Sequence, residues 1–192
     1  MEQPKPTEQH KKLEKLTGKW IGEEKIQGSP HTTATNATGT FDIRTDLNGL
    51  FALVDYVEKS GAQTLLAGHG VIGWDAKQKR YTLHWFDTFG SPPGAPGTGQ
   101  WENDTLKFHQ EGSGNTILQL AEGSLIFKIE MDVEGKGFTP IIVGKYRRAG
   151  AAGKVTEHRL NRIARPRAPS SARDAYPPAV APEVNGGAFP SV

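Results

Sequence analysis

The chain has 192 residues, a length typical of a single domain with a sizeable core. Its formal net charge is only +2, and no cluster of Lys and Arg precedes Arg148, so we expect no nucleic-acid partner. It contains no cysteine, which excludes disulfides, thiolate nucleophiles and cysteine-ligated zinc sites. Its opening residues lack the apolar segment of an export signal, and no apolar run is long enough to span a membrane, so we expect a soluble, cytoplasmic protein with no membrane partner.

The first predicted element is a short amphipathic helix over residues 7–17, the end of an N-terminal arm that covers residues 1–17. Thr7 is a good N-cap, and Leu13 and Leu16 stand three residues apart with His10 on the same side. We expect this helix to cover or plug one end of the domain that follows.

Residues 18–148 are predicted to form an all-β domain. About ten runs rich in β-branched and aromatic residues are separated by turn signals such as DLNG, KSGAQ, ENDT and AEGS, with almost no helical stretch between them. Such spacing is typical of an antiparallel meander that closes into a barrel or folds as a sandwich.

Two of these runs show clear alternation of apolar and polar residues. The segment LIFKIEMDV, residues 125–133, has one apolar face, expected in the core, and one mainly polar face, expected in solvent. In TLKFHQE the same rule places Leu106 and Phe108 inside and His109 at the surface.

The first predicted strand, in GKWIGEEK, holds the first candidate site residues. Trp20, Gly22 and Glu24 share one face because side chains alternate along a strand. If Trp20 faces inward, Gly22 leaves room beside the indole and Glu24 points into the interior. The alternative for Glu24 is a carboxylate at the barrel rim, in water.

The next candidates lie on the following strands. Arg44 and Tyr56 would face one another across the strands joined by the DLNG turn and anchor a carboxylate or a phenol. The same arginine would also be explained by surface pairing with Asp42, Asp46 or Glu58. His69 stands between two glycines, which let a ligand or a neighbouring backbone approach but also mark the bends of a small barrel.

The segment RYTLHWFDTFG has two partly aromatic faces, so alternation leaves open which one faces the interior. One face carries Trp85 and Asp87, which in an apolar cavity would make a proton shuttle or an amine anchor; the alternative is a core tryptophan with Asp87 capping the next loop. The other face carries His84, which would be either a base inside the barrel or a structural histidine of the barrel whose ring nitrogens are hydrogen-bonded within the protein. We expect the proline-rich loop 89–99 to lie over one barrel mouth.

Residues 149–192 are rich in Pro, Ala, Ser and Gly and carry an excess of Lys and Arg over Asp and Glu. Such a segment cannot bury enough apolar surface to offset its ordering entropy, so we predict a flexible basic tail with no role in the site. The six histidines are scattered rather than placed at ligand spacing, so we expect no metal site.

The order of these landmarks resembles a bacterial family known as domain of unknown function 1579, within the calycin group of barrels that includes lipocalins, fatty-acid-binding proteins and nitrobindins. The matching stretches are His10 with LEKLTGKW, GTFDIRTDLNGLFALVDY at 39–56, GHGVIGWDAKQKRYTLHWFDTFG at 68–90, GTGQWENDTLKF at 97–108 and KYRR at 145–148. The resemblance implies an antiparallel up-and-down barrel of roughly ten strands with an internal cavity and a helix near one end. It implies no established activity.

The resemblance also carries two expectations about single residues. In calycins a basic residue of the last strand packs over the tryptophan of the first strand, so Arg147 or Arg148 is expected to make a cation–π contact with Trp20. Nitrobindins hold haem through a histidine near the last strand, but TPIIVGKYRR contains none, and Glu24 stands where their first strand has a third glycine. No cofactor is therefore expected.

Two functions are compatible with this pattern. The first is binding of a small, mostly apolar molecule in the barrel, with candidate ligand-binding residues Trp20, Glu24, Arg44, Tyr56, His69, His84, Trp85 and Asp87. The alternative is a cofactor-independent isomerase, cyclase or lyase that uses a cavity carboxylate with a His or Tyr as acid and base. A homodimer formed through one barrel face is a further possibility.

Overall fold

A computed structural model describes residues 3–27, 33–90, 94–112, 114–132, 135 and 137–150. Helix α1 (Glu8–Glu14) precedes ten strands: β1 (Gly18–Ile26), β2 (Thr35–Asp46), β3 (Phe51–Ser60), β4 (Gln63–Asp75), β5 (Arg80–Asp87), β6 (Gly97–Glu102), β7 (Thr105–Gln110), β8 (Gly114–Ala121), β9 (Ser124–Asp132) and β10 (Phe138–Arg148). Each strand pairs antiparallel with its neighbour in the chain, and β1 pairs with β10 to close the barrel. The predicted all-β barrel is confirmed, and the sandwich alternative is wrong.

Some sequence predictions fall on residues outside this description. They are Val133 at the end of the predicted strand 125–133, residues 91–93 of the proline-rich loop, and the predicted tail from residue 151 onward. No helix among the described residues is both long enough and apolar enough to cross a membrane.

The predicted turn signals form tight hairpin turns. Asn103 and Asp104 have φ angles of 45° and 58°, and Glu122 and Gly123 have φ angles of 46° and 76°. Two consecutive positive φ values are the geometry of type I′ turns, whose twist matches that of antiparallel strands. These turns fix the register of β6–β7 and β8–β9 and hence which side chains face inward.

The predicted alternation is confirmed in both strands where it was clear. Leu125 and Phe127 of β9 and Leu106 and Phe108 of β7 are buried in the barrel core. His109 lies on the outer side of β7, where its Nδ1 is 3.0 Å from Asn115 Oδ1.

Helix α1 and the indole of Trp20 close one end of the barrel. Leu13 and Leu16 are fully buried, and Trp20 Nε1 donates a hydrogen bond of 2.8 Å to Leu16 O. At the start of α1, Thr7 N donates to His10 Nδ1 at 3.0 Å, half of a capping box. The burial that this position imposes on His10 lowers the pKa of its imidazole.

Arg148 covers the outer side of this closed end. Its guanidinium carbon lies 4.3 Å from the Trp20 ring centroid, and its Nη1 donates to Thr17 O at 2.5 Å. Between the two arginines that the resemblance offered, the structure therefore places Arg148 over the indole. The contact joins the last strand to the first and to the residues that follow α1.

We expect the substitution Arg148→Met to lower the free energy of unfolding by about 1 to 2 kcal/mol, because it removes a cation–π contact and a charge-assisted hydrogen bond while keeping an unbranched chain. The matched control is Arg147→Met, since Arg147 pairs with Ile21 at the neighbouring register position. Urea denaturation of both variants gives the comparison. Equal losses in the two variants would remove the special role of Arg148.

Candidate functional site

The barrel encloses a cavity of about 670 Å³ that reaches the connections β5–β6 and β7–β8. Its inner wall is aliphatic and aromatic, with side chains from five strands: Phe41, Val54, Ile72, Leu118 and Phe127. A volume of this size lies within the range of roughly 300 to 1,000 Å³ in which proteins hold small organic ligands.

Few polar side chains reach this cavity. Among the described lining residues they are Tyr56, Asp87, Gln110, Glu111 and Thr116, and none of the described lining residues is Lys, Arg or His. The described residues also contain no group of three or more His, Asp or Glu side chains arranged to hold a metal ion. The polar chemistry of the cavity is therefore that of a phenol, two carboxyls, an amide and a hydroxyl.

Strand β5 turns its tryptophan and aspartate toward the cavity. Trp85 Nε1 donates to Asp87 Oδ2 at 3.0 Å, and Phe89 N donates to Asp87 Oδ1 at 2.9 Å. Asp87 thus lines the cavity and also caps the following loop, as one of the two interpretations predicted; its role as a proton shuttle or an amine anchor stays a prediction. Both of its oxygens are fixed in position.

Glycines of β4 make room for the Trp85 ring. A Cβ atom at Gly70 would lie 3.1 Å from the ring, and at Gly68 it would lie 2.9 Å from ring atom Cε2. Gly68 also stands between Tyr56 and Asp87 in the strand register, so the two polar groups flank the indole. The glycines on either side of His69 therefore leave space for the Trp85 ring of the neighbouring strand β5.

Four buried side chains form a hydrogen-bonded group behind the cavity wall, named here the carboxyl cluster: Glu24, Tyr56, Glu58 and Tyr146. The Tyr56 hydroxyl lies 2.9 and 2.8 Å from the two Glu24 carboxyl oxygens and 3.0 Å from Glu58 Oε2. The Tyr146 hydroxyl donates to Glu24 Oε1. Glu24 is only 1% exposed and Glu58 only 4% exposed. Of the four, only Tyr56 also lines the cavity.

Three glycines leave the space that the carboxyl cluster occupies. A Cβ atom at Gly22 would lie 2.6 Å from the Tyr146 ring, and one at Gly144 would lie 2.9 Å from Glu24 Cγ. At Gly39 a Cβ atom would lie 2.8 Å from Glu24 Oε1 and would overlap the Tyr146 hydroxyl. Since real Cβ contacts essentially never fall below 3.0 Å, a side chain at any of the three would displace the cluster.

The geometry of the carboxyl cluster favours an extra proton, which Glu24 takes up as the pH falls through about 7. A phenol has one hydrogen, so Tyr56 can donate to only one of the two carboxyls, and its contact with the other requires a proton on a carboxyl. Burial, aided by the nearby Glu58, raises the pKa of Glu24 to about 7, although the tyrosine hydrogen bonds oppose this shift. Burial raises the pKa of Tyr56 and Tyr146 as well, so both remain phenols.

The other predicted site residues lie away from the cavity. Arg44 and His69 are on the outer surface, where both contact Asp55: Arg44 Nη1 at 2.5 Å from Oδ2 and His69 Nδ1 at 2.5 Å from Oδ1. In the β2–β3 register Arg44 pairs with Leu53 and Tyr56 with Phe41, so the prediction that Arg44 faces Tyr56 is wrong.

Further corrections concern His84, Trp20 and Glu24. His84 is exposed on the outer face of β5, so it is neither a base inside the barrel nor a buried histidine. Trp20 is buried at the closed end and does not line the cavity. Glu24 is buried behind Tyr56, and the alternative of a rim carboxylate in water is wrong.

Two members of the carboxyl cluster were not predicted as site residues. Glu58 was considered only as a surface partner of Arg44, yet the alternation Ala52, Val54, Tyr56, Glu58 places it on the inner face of β3. Tyr146 stands between Lys145 and Arg147, both exposed, which is the alternation of an inward-facing residue. Extending the two-residue period along β3 and β10 would have identified Glu58 and Tyr146 as inward-facing residues.

The fold and the site together define a closed ten-stranded antiparallel barrel with an internal cavity and a buried carboxyl cluster. The chain belongs to the family described as protein of unknown function DUF1579, whose model matches residues 5–135. It is also similar in fold to the crystal structure of Rv2717c from M. tuberculosis, with 12% sequence identity, a TM-score of 0.54, and coverage of 72% of this chain and 97% of that chain. Comparison with curated proteins finds no match.

Proposed function

We propose that the protein binds a small, mostly apolar molecule in the barrel cavity, in the manner of a calycin. The observation that carries the proposal is the cavity of about 670 Å³, whose wall is largely aliphatic and aromatic and bears few polar groups. Apolar walls provide affinity through the hydrophobic effect, and a small number of fixed polar groups orient the ligand.

The two ends of the cavity would hold different parts of the ligand. Phe41 and Phe127 pack with Tyr56, at centroid distances of 4.7 and 5.8 Å from its ring, and form an aromatic inner end. Asp87 and Gln110 lie nearer the loops that follow β5 and β7. Trp85 lies between these regions, with its ring 6.2 Å from that of Tyr56. A ligand with an apolar body and one polar end would satisfy both regions.

We expect the neutral dye Nile red to bind the wild-type protein saturably, with a rise in fluorescence, because the cavity excludes water from an apolar ring system. The substitution Thr116→Trp adds a large side chain to the cavity wall and should weaken binding at least tenfold, by about 1.4 kcal/mol or more. The matched control is Lys107→Trp on the outer face of β7, which should bind the dye as the wild type does. Circular dichroism confirms that both variants fold.

No saturable binding by the wild type, or equal binding by the Thr116→Trp and Lys107→Trp variants, would contradict the proposal. In the first case the cavity takes up no apolar molecule of this size. In the second case the dye binds somewhere other than the cavity.

A second candidate function is cofactor-independent acid–base catalysis, which one observation favours. Tyr56 lines the cavity, and its hydroxyl is hydrogen-bonded to Glu24, whose pKa is raised to about 7. A carboxyl with such a pKa can accept or release a proton near neutral pH, and Tyr56 would carry the proton between it and a bound substrate. This proposal assigns no role to a histidine of the described part of the chain, since none lines the cavity there.

Proton exchange in D₂O tests the catalytic alternative. A panel of cyclic β,γ-unsaturated ketones is incubated with wild-type protein and with the Glu24→Gln variant. Deuterium incorporation or double-bond migration that depends on Glu24 supports catalysis. The same rates with and without protein would rule out this chemistry for these substrates and leave binding as the function.

A further inference from the structure

We propose that the cavity selects a lipophilic amine, that is, an apolar molecule with one protonated nitrogen. This inference deepens the binding function proposed above and rests on it. It adds the chemical class of the ligand, which neither the family nor the similar fold supplies.

The first argument is the charge of the cavity wall. Two of its described side chains bear a carboxyl group, Asp87 and Glu111, and no Lys, Arg or His lies among the described lining residues. A fatty acid would bring a third carboxylate to an apolar space without a counterion, and burial of an unpaired charge is strongly unfavourable. An ammonium group would instead be attracted to the existing carboxylates.

The second argument is the geometry of Asp87. Hydrogen bonds from Trp85 Nε1 and Phe89 N hold its two oxygens, at 3.0 and 2.9 Å, so the carboxylate is oriented before any ligand arrives. Each carboxylate oxygen has further acceptor capacity for a ligand N–H group. The adjacent Trp85 ring also offers an aromatic face, and such faces attract organic cations.

The third argument is that three described donors of the cavity residues, on Trp85, Gln110 and Tyr56, already have acceptors within the protein. Trp85 Nε1 donates to Asp87, and Gln110 Nε2 donates to Ala95 O at 3.1 Å. The single hydrogen of Tyr56 is directed into the carboxyl cluster, so this phenol has no hydrogen left to donate to a ligand. The fixed carboxylate of Asp87 therefore offers acceptors beside donors that are already engaged, which favours a ligand that donates hydrogen bonds.

Displacement of Nile red by three ten-carbon chains tests the ligand class. Decylamine, 1-decanol and decanoate have similar apolar bodies and differ in the charge of the end group, and each is used below its micelle concentration at neutral pH. We expect decylamine to displace the dye at a concentration at least tenfold lower than decanoate, with 1-decanol between them.

The contribution of Asp87 is tested with the variant Asp87→Asn, which keeps an oxygen acceptor for Phe89 N. We expect the ratio of decanoate to decylamine concentrations for half-displacement to fall below threefold in this variant. The matched control Glu23→Gln, which removes an exposed carboxylate from the outer face of β1, should keep the wild-type ratio. The wild-type order alone decides the ligand class if the Asp87→Asn variant does not fold.

The outcomes separate this inference from the function on which it rests. If the wild type binds Nile red but decanoate displaces it as well as decylamine or better, the ligand class is wrong and the binding function stands. If neither Nile red nor any of the three chains binds, the binding function itself fails. An unchanged ratio in Asp87→Asn would show that this carboxylate does not select the amine.

Discussion

The substitution Gly39→Ala is expected to lower the free energy of unfolding by about 3 kcal/mol, far more than an alanine usually costs in a strand. The added Cβ would lie 2.8 Å from Glu24 Oε1 and would take the place of the Tyr146 hydroxyl. The Tyr146 ring must then move, and its hydrogen bond to the buried Glu24 is lost. Urea denaturation of the wild type and the variant measures the loss.

A matched control and a double variant make this prediction specific. Gly97 is also a buried strand glycine, but a Cβ there would meet its nearest neighbour at 3.6 Å, an ordinary contact, so Gly97→Ala should cost less than about 1 kcal/mol. The Tyr146→Phe substitution removes the hydroxyl that blocks the Cβ at Gly39, so the two changes together should cost less than their sum. Strict additivity, or a Gly39→Ala loss no larger than that of Gly97→Ala, would contradict the described packing of the carboxyl cluster.

The second large effect expected is a pH dependence of stability that originates in Glu24. Its pKa is about 7 in the folded protein against 4.5 for an unperturbed carboxyl. Between these values the folded protein binds more protons than the unfolded chain, so the free energy of unfolding decreases as pH rises from about 4.5 through about 7. A difference of this size corresponds to about 3 kcal/mol over that window. The Glu24→Gln variant should lack this contribution.

The comparison of variants isolates Glu24 from other titrating groups. Burial lowers the pKa of His10, and the hydrogen bond from Arg44 is the main cause of the lowered pKa of Asp55; both groups favour the folded state at higher pH, in the opposite sense. Their contributions are common to wild type and variant and cancel in the difference. The control Glu23→Gln removes the exposed neighbouring carboxylate and should keep the wild-type profile. Parallel profiles of wild type and Glu24→Gln between about pH 5 and pH 8 would mean that Glu24 titrates as an ordinary carboxyl.

The fold could be predicted from the sequence because its signals are local. Alternation in β7 and β9 identified the inward residues, and the turn sequences fixed where strands end. The face of Glu24 followed from Trp20 by the same two-residue period. These features depend on a few consecutive residues, so one sequence is enough to show them.

The wrong predictions for Arg44 and His84 differ in origin. For Arg44 the sequence does indicate the correct face, since Phe41 and Ile43 alternate with Asp42 and Arg44 in β2 and place the arginine outside. For His84 the sequence gives no such indication, because Phe86 lies on the same face of β5 and makes that face look apolar. In the structure Phe86 is 43% exposed.

The carboxyl cluster could not be assembled from local patterns alone. Tyr146 and Glu24 are 122 residues apart, and they meet only because β10 pairs with β1 when the barrel closes. The glycines that leave space for them come from β1, β2 and β10 and look like ordinary strand glycines in the sequence. The strand register between β1 and β10, where the barrel closes, therefore determines which side chains meet in the carboxyl cluster.

The most direct test of ligand binding in the barrel uses the indole N–H signals of the four tryptophans in an NMR titration with Nile red. Trp85 is the only tryptophan among the described residues that line the cavity, whereas Trp20 lies at the closed end and donates a hydrogen bond to Leu16 O. The account predicts a saturable shift of the Trp85 signal that is at least several times larger than the shifts of Trp20, Trp74 and Trp101. An unchanged Trp85 signal under saturating dye, or the largest shift at another tryptophan, would contradict it.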